Sequence, residues 1–300
     1  MKRILAILAA LFLVAGTALA TEAEKNITKK FNVGDFNSIS VSGIVQVELK
    51  KANRCEVNVT FPRELEDYLS VKVIGGSLKI GTKSIPNSLS RRLNDKSIVA
   101  EVSMPELCSL EMSGATKFSC DDAFNLGKDT FELEMSGSSR AYGLNIDADE
   151  LDIKMSGATY ASISGSFEEV DGEFSGAIQC EMNVTADKLD IEAGGAAKIF
   201  TRGRMEEIKI ETSGASQFAM EGSAEQLYVE GSGASRIKMQ ETPVEKAKVS
   251  LSGGSSCTVD ASKRLTVDIS GASSVKYVAH EGLDLDLISV SRASSLSKIK

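Results

Sequence analysis

Residues 151–159, LDIKMSGAT, decide the fold once they are set beside residues 208–216, IKIETSGAS, and residues 265–273, LTVDISGAS. Each stretch alternates apolar and polar residues and closes on Ser-Gly-Ala followed by Ser or Thr. Alternation of period two marks a half-buried strand, and a glycine at a fixed offset marks a bend closed to other residues. The glycine recurs at Gly114, Gly137, Gly157, Gly176, Gly195, Gly214, Gly233, Gly253 and Gly271, with Arg292 in the equivalent place at the end. Successive members are 18 to 23 residues apart. A unit this small cannot bury its own apolar face, so it must stack on copies of itself.

Alignment on the glycine exposes columns. Two positions before it stand Met112, Met135, Met155, Phe174, Ala193, Thr212, Gly231, Leu251, Ile269 and Val290, and four before it runs a series from Leu110 to Ile288. Four positions after it, Phe118, Ala141, Ala161, Cys180, Ile199, Phe218, Ile237, Cys257, Val275 and Leu296 form a third. Two short strands meeting at a corner, with these columns inward, are what a parallel β-helix produces. The period is too short for a propeller blade and lacks the leucine-rich pattern. Variable coil length predicts the right-handed form: an all-β, right-handed parallel β-helix (solenoid) of about ten coils of ~19–20 residues. In this reading the alanine after each glycine, as at Ala158 and Ala215, lies in a narrow inside corner, and the flanking serines bond to backbone or to the serine one coil away.

Residues 108–300 carry the regular repeats, and residues 21–107 are expected to form irregular opening coils or a cap. There, Ile39-Ser40-Val41-Ser42-Gly43 is a faint copy of the phrase, continued by Val45, Val47 and Leu49. Strands are expected at 55–61, 71–80 and 97–102, a short helix at Pro62–Leu69, and a polar loop at 83–94.

The chain opens with Lys2 and Arg3, an apolar run from Ile4 to Val14, and Ala18-Leu19-Ala20. This pattern reads as a signal peptide at residues 1–20, too short in its apolar part to span a bilayer. It predicts export to the periplasm, the cell surface or the medium, with no transmembrane segment in the mature chain. Removing it leaves 32 basic against 42 acidic side chains, a balance of −10 that argues against nucleic acid as a partner. Five cysteines at unrelated spacings cannot all pair within the chain, and they read mostly as small buried hydrophobes.

One outward column carries candidate chemistry. Three positions before the glycine stand Glu111, Glu134, Lys154, Glu173, Glu192, Glu211, Glu230, Ser250, Asp268 and Ser289. The consecutive run Glu173, Glu192, Glu211 and Glu230 is a possible ladder for calcium or a cationic partner, set against a solvated face relieved by Lys209 and Lys248. The solvated face is the preferred reading. No metal, cofactor or catalytic set is expected. The serines are explained by the corner, His280 is the sole histidine, and the abundant carboxylate pairs are non-specific as glycosidase signals. Outward aromatics such as Tyr160 and Tyr228 read as too scattered for a sugar platform.

The phrases LEMSGATKF, LDIKMSGAT, IKIETSGAS, VEGSGASRI and VDISGASSV, with the opening FNSISVSGIVQVEL, resemble the head GIN domain family of auto-transporter adhesins, common in Bacteroidetes. The resemblance implies a right-handed β-helix similar to pectin lyases, without an identified catalytic set, and an adhesion role. The expectation is therefore a non-enzymatic exported scaffold binding a glycan or an envelope protein. A polysaccharide-acting lyase or hydrolase is the alternative.

Overall fold

The computed structural model describes residues 26–92 and 98–299; the expected signal peptide lies outside them. The protein is almost all-β and forms a β-solenoid of about ten turns. A typical turn begins with a strand such as Glu150–Gly157, bends at the phrase glycine, continues as Tyr160–Ser166 and enters the next turn at Glu169–Gly176. Strands before the glycine stack in parallel register into a first sheet, with Met155 opposite Phe174 and Gly157 opposite Gly176. Strands after it stack into a second sheet, through Ala161, Cys180 and Ile199.

The columns read from the sequence point inward. Leu151, Ile153 and Met155 of the first sheet share one core with Ala161 and Ile163 of the second, and Phe167 fills the opposite corner. Residues compensate one another in volume along a strand and between turns. Gly172 leaves room for the Phe174 ring: a Cβ at Gly172 would lie 2.5 Å from that ring and 2.9 Å from Ile191. Such complementarity is how close packing survives an imperfect repeat.

The phrase glycine is required twice over. Gly214 has φ +70°, and a Cβ there would lie 2.6 Å from the carbonyl oxygen of Gly195 in the preceding turn. Each glycine thus makes room for the next. The residue after it donates its N–H to the preceding glycine, Ala158 to Gly137 at 2.8 Å and Ala215 to Gly195 at 2.7 Å. That bond leaves its side chain outside, so Ala158, Ala215 and the other alanines expected inside the corner are exposed. The following residue enters instead: Ser139, Ser216, Ser235, Ser255 and Ser273 are buried. Ser216 Oγ donates to the Ser213 carbonyl at 2.9 Å, and Ser235 Oγ to Ser232 at 2.7 Å, closing the turn.

The opening segment departs from sequence order. Strands β1 (Asn26–Phe31), β2 (Ser38–Gly43), β3 (Val45–Lys51), β4 (Glu56–Pro62), β5 (Leu69–Ile74), β6 (Ser77–Thr82), β7 (Ile98–Met104), β8 (Ser109–Gly114) and β9 (Lys117–Cys120) build it. β2 and β3 stack in register on β8 and β9, Gly43 opposite Gly114 and Val47 opposite Phe118, so regular stacking begins well before Cys108. On their other side lie β6 and β7, later in sequence yet earlier in the stack, with Val41 opposite Ile80 and Val45 opposite Ile98. Antiparallel strands finish this end: β5 on β6, β4 on β7, and β1 on β4. The exposed β1 edge carries Lys29 and Lys30, charges that discourage further strand pairing.

Three expectations for this segment are corrected. The strand expected at 71–80 is a hairpin, because Gly75 and Gly76 take φ +60° and +79° as a two-residue turn. The helix expected at Pro62–Leu69 is a 3-10 turn, Arg63–Leu65, and Leu69 already pairs with Thr82. The polar loop at 83–94 contains a helix, α1 (Asn87–Arg92), entered through Pro86, whose carbonyl accepts from Leu89 N–H at 2.9 Å.

At the other end, a register shift after Val267 puts Leu287, not Ile288, opposite Val267. No further turn covers this strand among the described residues, and Leu287 is 49% and Val290 42% exposed.

Candidate functional site

The solenoid presents two long outer faces with different chemistry. On the first sheet, Glu173, Glu192, Glu211 and Glu230 stand directly opposite one another on adjacent strands, about 4.8 Å per step. The column is continuous from Glu111 and Glu134 through Lys154 at one end to Ser250 and Asp268 at the other. Two residues further along, Ser136, Ser156, Ser175, Ser213, Ser232 and Ser252 form a parallel rail interrupted at Gly194. Between the two rails runs a groove of about 780 Å³ along the stack.

Cations are interleaved with these carboxylates. Lys209 Nζ contacts Glu211 at 2.7 Å and Asp190 at 3.2 Å, and both hold its ammonium well above the usual lysine range. Lys154 reaches Glu173 at 4.0 Å. Charge nevertheless accumulates between them: desolvation, then Glu169, Asp190, Asp152 and Glu150, push the Asp171 carboxyl above the usual range. Among the described residues no three acidic, histidine or cysteine side chains converge to hold a metal. Carboxylates in single file, each on its own strand, do not close a coordination shell.

On the second sheet the columns change sign. The residue three after the glycine runs Lys117, Arg140, Tyr160, Gln179, Lys198, Gln217 and Arg236 in register. Beside it, Ser162, Glu181, Phe200, Ala219 and Lys238 stack in a second column. Phe200 and Glu181 both line two shallow depressions of about 160 and 230 Å³. Arg202 lies over the Phe200 ring at 4.5 Å and is held at 2.8 Å by Glu221, which steadies the ring.

The aromatics on this face are less scattered than their spacing implies. A register shift between Ala141 and Leu144 puts both Tyr142 and Gly143 across from Ser162. Gly143 takes φ +71°, and a Cβ there would lie 2.1 Å from the Cys120 carbonyl oxygen. Beside this bulge Tyr142 keeps its register place opposite Ser119 and meets Tyr160, ring centroids 5.1 Å apart. Burial first, then Glu181, pushes the Tyr160 phenol up, so it stays a neutral hydrogen-bonding group. Tyr228, by contrast, lies on the first sheet, where its hydroxyl meets Gln226 at 3.0 Å.

The corner serines and the histidine are engaged in other bonds. Corner serines are committed to backbone carbonyls, and His280 pairs through Nε2 with Asp260, with no serine hydrogen-bonded to it among the described residues. All five thiols are free. Burial pushes Cys180 and Cys257 up to about 12, so they behave as packing groups and not nucleophiles.

Residues 35–177 and 166–280 match the family described as "Putative auto-transporter adhesin, head GIN domain". Among solved structures, a "putative adhesin" from Parabacteroides distasonis is similar at TM-score 0.52 and 16% identity, over 92% of this chain and 97% of that one. A "putative adhesin" from Parabacteroides merdae follows at TM-score 0.49 and 15% identity, with the same 92% and 97% coverage. A "putative lipid binding protein" from Parabacteroides distasonis gives 0.46 and 18%, again over 92% and 97%. The first of these shows a shared fold. No curated protein matches the chain.

Proposed function

Since the chain belongs to the head GIN domain family of auto-transporter adhesins, we propose that it is a non-enzymatic binding scaffold, exported through residues 1–20, that holds a glycan or a protein at the cell envelope. One observation carries this reading: the outer faces are continuous, periodic columns of side chains held in register from turn to turn over one shared core. Extended faces suit an extended ligand held by many weak contacts, whereas catalysis concentrates its groups at one point. The family supports the same reading. Among the described residues no helix is long and apolar enough to cross a membrane.

The test is a glycan and mucin array probed with residues 21–300, with product analysis on the same polysaccharides. Retention without product is expected. Turnover would overturn the scaffold reading in favour of a polysaccharide-acting enzyme, for which the carboxylate column offers pairs at the strand spacing.

A further inference from the structure

We infer that the second-sheet face around Tyr142, Tyr160 and Phe200 is the ligand-binding face, and that its ligand is a linear anionic glycan bearing uronate carboxylates. The inference rests on the scaffold reading above and names the face and the class of ligand.

Four observations carry it. First, the two columns that follow the glycine corner, from Lys117 to Lys238, hold five cations and a single carboxylate, Glu181, on a chain whose net charge is −8. Lys117, Arg140, Lys198, Arg236 and Lys238 are all exposed. None of them is in an ion pair among the described residues, whereas the lysines Lys154, Lys188 and Lys209 of the first sheet are. Cations left without internal partners are available to an anionic ligand.

Second, two aromatic rings meet here: Tyr142, in the outward column of Ser119 and Ser162, lies with its ring centroid 5.1 Å from that of Tyr160 on the next turn. Third, Phe200 is fixed from one side by Arg202 while lining both depressions, so the aromatic groups flank a strip several turns long. The C–H face of a pyranose ring is apolar and packs on the electron-rich face of an aromatic ring. A sugar ring is about as wide as one step between turns, so successive rings meet successive strands.

Fourth, hydrogen-bonding groups alternate with the rings: Gln179 and Gln217 in one column, Ser162 and Glu181 in the other. Glu181 accepts from sugar hydroxyls between the cations of the neighbouring turns. The uronate carboxylates then lie toward Lys198, two turns from Tyr160, and toward Arg236 and Lys238, four turns from it.

The experiment compares retention of residues 21–300 on polygalacturonate, on the same polymer fully methyl-esterified, on a thirty-residue poly-dT strand and on anionic phosphatidylglycerol vesicles. Binding to polygalacturonate that weakens at least tenfold on esterification and falls with added salt is expected. Lys198→Gln with Arg236→Gln, and separately Phe200→Ala, should each weaken it about tenfold, while Glu192→Gln with Glu211→Gln on the first sheet leaves it unchanged. Thermal melts confirm that each variant is folded.

Equal retention of the charged and esterified polymers, or loss of binding only in the first-sheet variant, overturns this inference and leaves the scaffold reading standing. Preference for poly-dT or for vesicles also overturns it. Failure to hold any glycan or mucin on the wider array sinks the glycan-binding scaffold reading itself.

Discussion

The two sheets share one backbone ladder and one core, yet their outer faces follow opposite rules. On the first sheet, carboxylates fill column after column and are relieved by lysines such as Lys209 that bridge neighbouring turns. On the second, cations with no ion pair among the described residues surround Tyr142, Tyr160 and Phe200, and two of these rings meet. The difference teaches that the corner and the inward columns are answerable to packing, while each outward column is free to acquire its own chemistry.

The largest expected effect removes what the faces share. Gly214→Ala adds a Cβ 2.6 Å from the Gly195 carbonyl at φ +70°. It should cost about 4 kcal/mol or more, read as a lowered melting temperature. Gly127→Ala, also at positive φ (+64°) but with nothing within 4 Å, should cost only about 1–2 kcal/mol. Equal losses would show that dihedral strain alone, not stacking, sets the demand for glycine. Cys180 and Cys257 serve as reporters, resisting alkylation at neutral pH in the wild-type protein and becoming reactive when the turns open.

A smaller effect separates the faces. Lys209→Ala leaves Asp190 and Glu211 without their shared cation and should destabilise by about 0.5–1 kcal/mol, the discount reflecting an exposed pair. Lys198→Ala on the second sheet should be neutral within about 0.5 kcal/mol, because it supports no internal ion pair. If both lysines prove equally important to stability, the second face is structural too.

The smallest effect is a pH dependence. Because the Asp171 carboxyl is pushed up in the folded state, the folded chain holds that proton more tightly than the unfolded one. The resulting stabilisation is present below the ordinary carboxylate range and is lost as pH rises through the raised value. Asp171→Asn should therefore melt about 1–2 °C above the wild-type protein at pH 7, and the gap should close toward acid pH. A gap that widens on acidification would mean that Asp171 is stabilised by its neighbours as an anion.

Much of this architecture is legible in the chain because period-two alternation and a fixed glycine are local signals. Leu151, Ile153 and Met155 had to face the same way, and the acidic column from Glu173 to Glu230 follows from the same count. Gly75-Gly76 between two apolar runs was an equally local hairpin signal. Two errors have one cause, that a side chain's direction at a corner depends on bonds to another turn. The alanines lie outside because their N–H groups reach the preceding glycine, and Ser216 and its equivalents take the inside place. The Tyr142 bulge is likewise visible only against the strand at Tyr160–Ser166.

By itself, then, the sequence determined the stacked all-β architecture, the inward columns and the place of each corner, since these repeat with a period that the chain carries in every unit. Tertiary structure alone decided that β6 and β7 precede β2 and β3 in the stack, that the groove runs between a carboxylate rail and a serine rail, and that two tyrosines meet on a cationic face. Those outcomes depend on which turn lies against which, a relation between residues distant in the chain that no local pattern encodes.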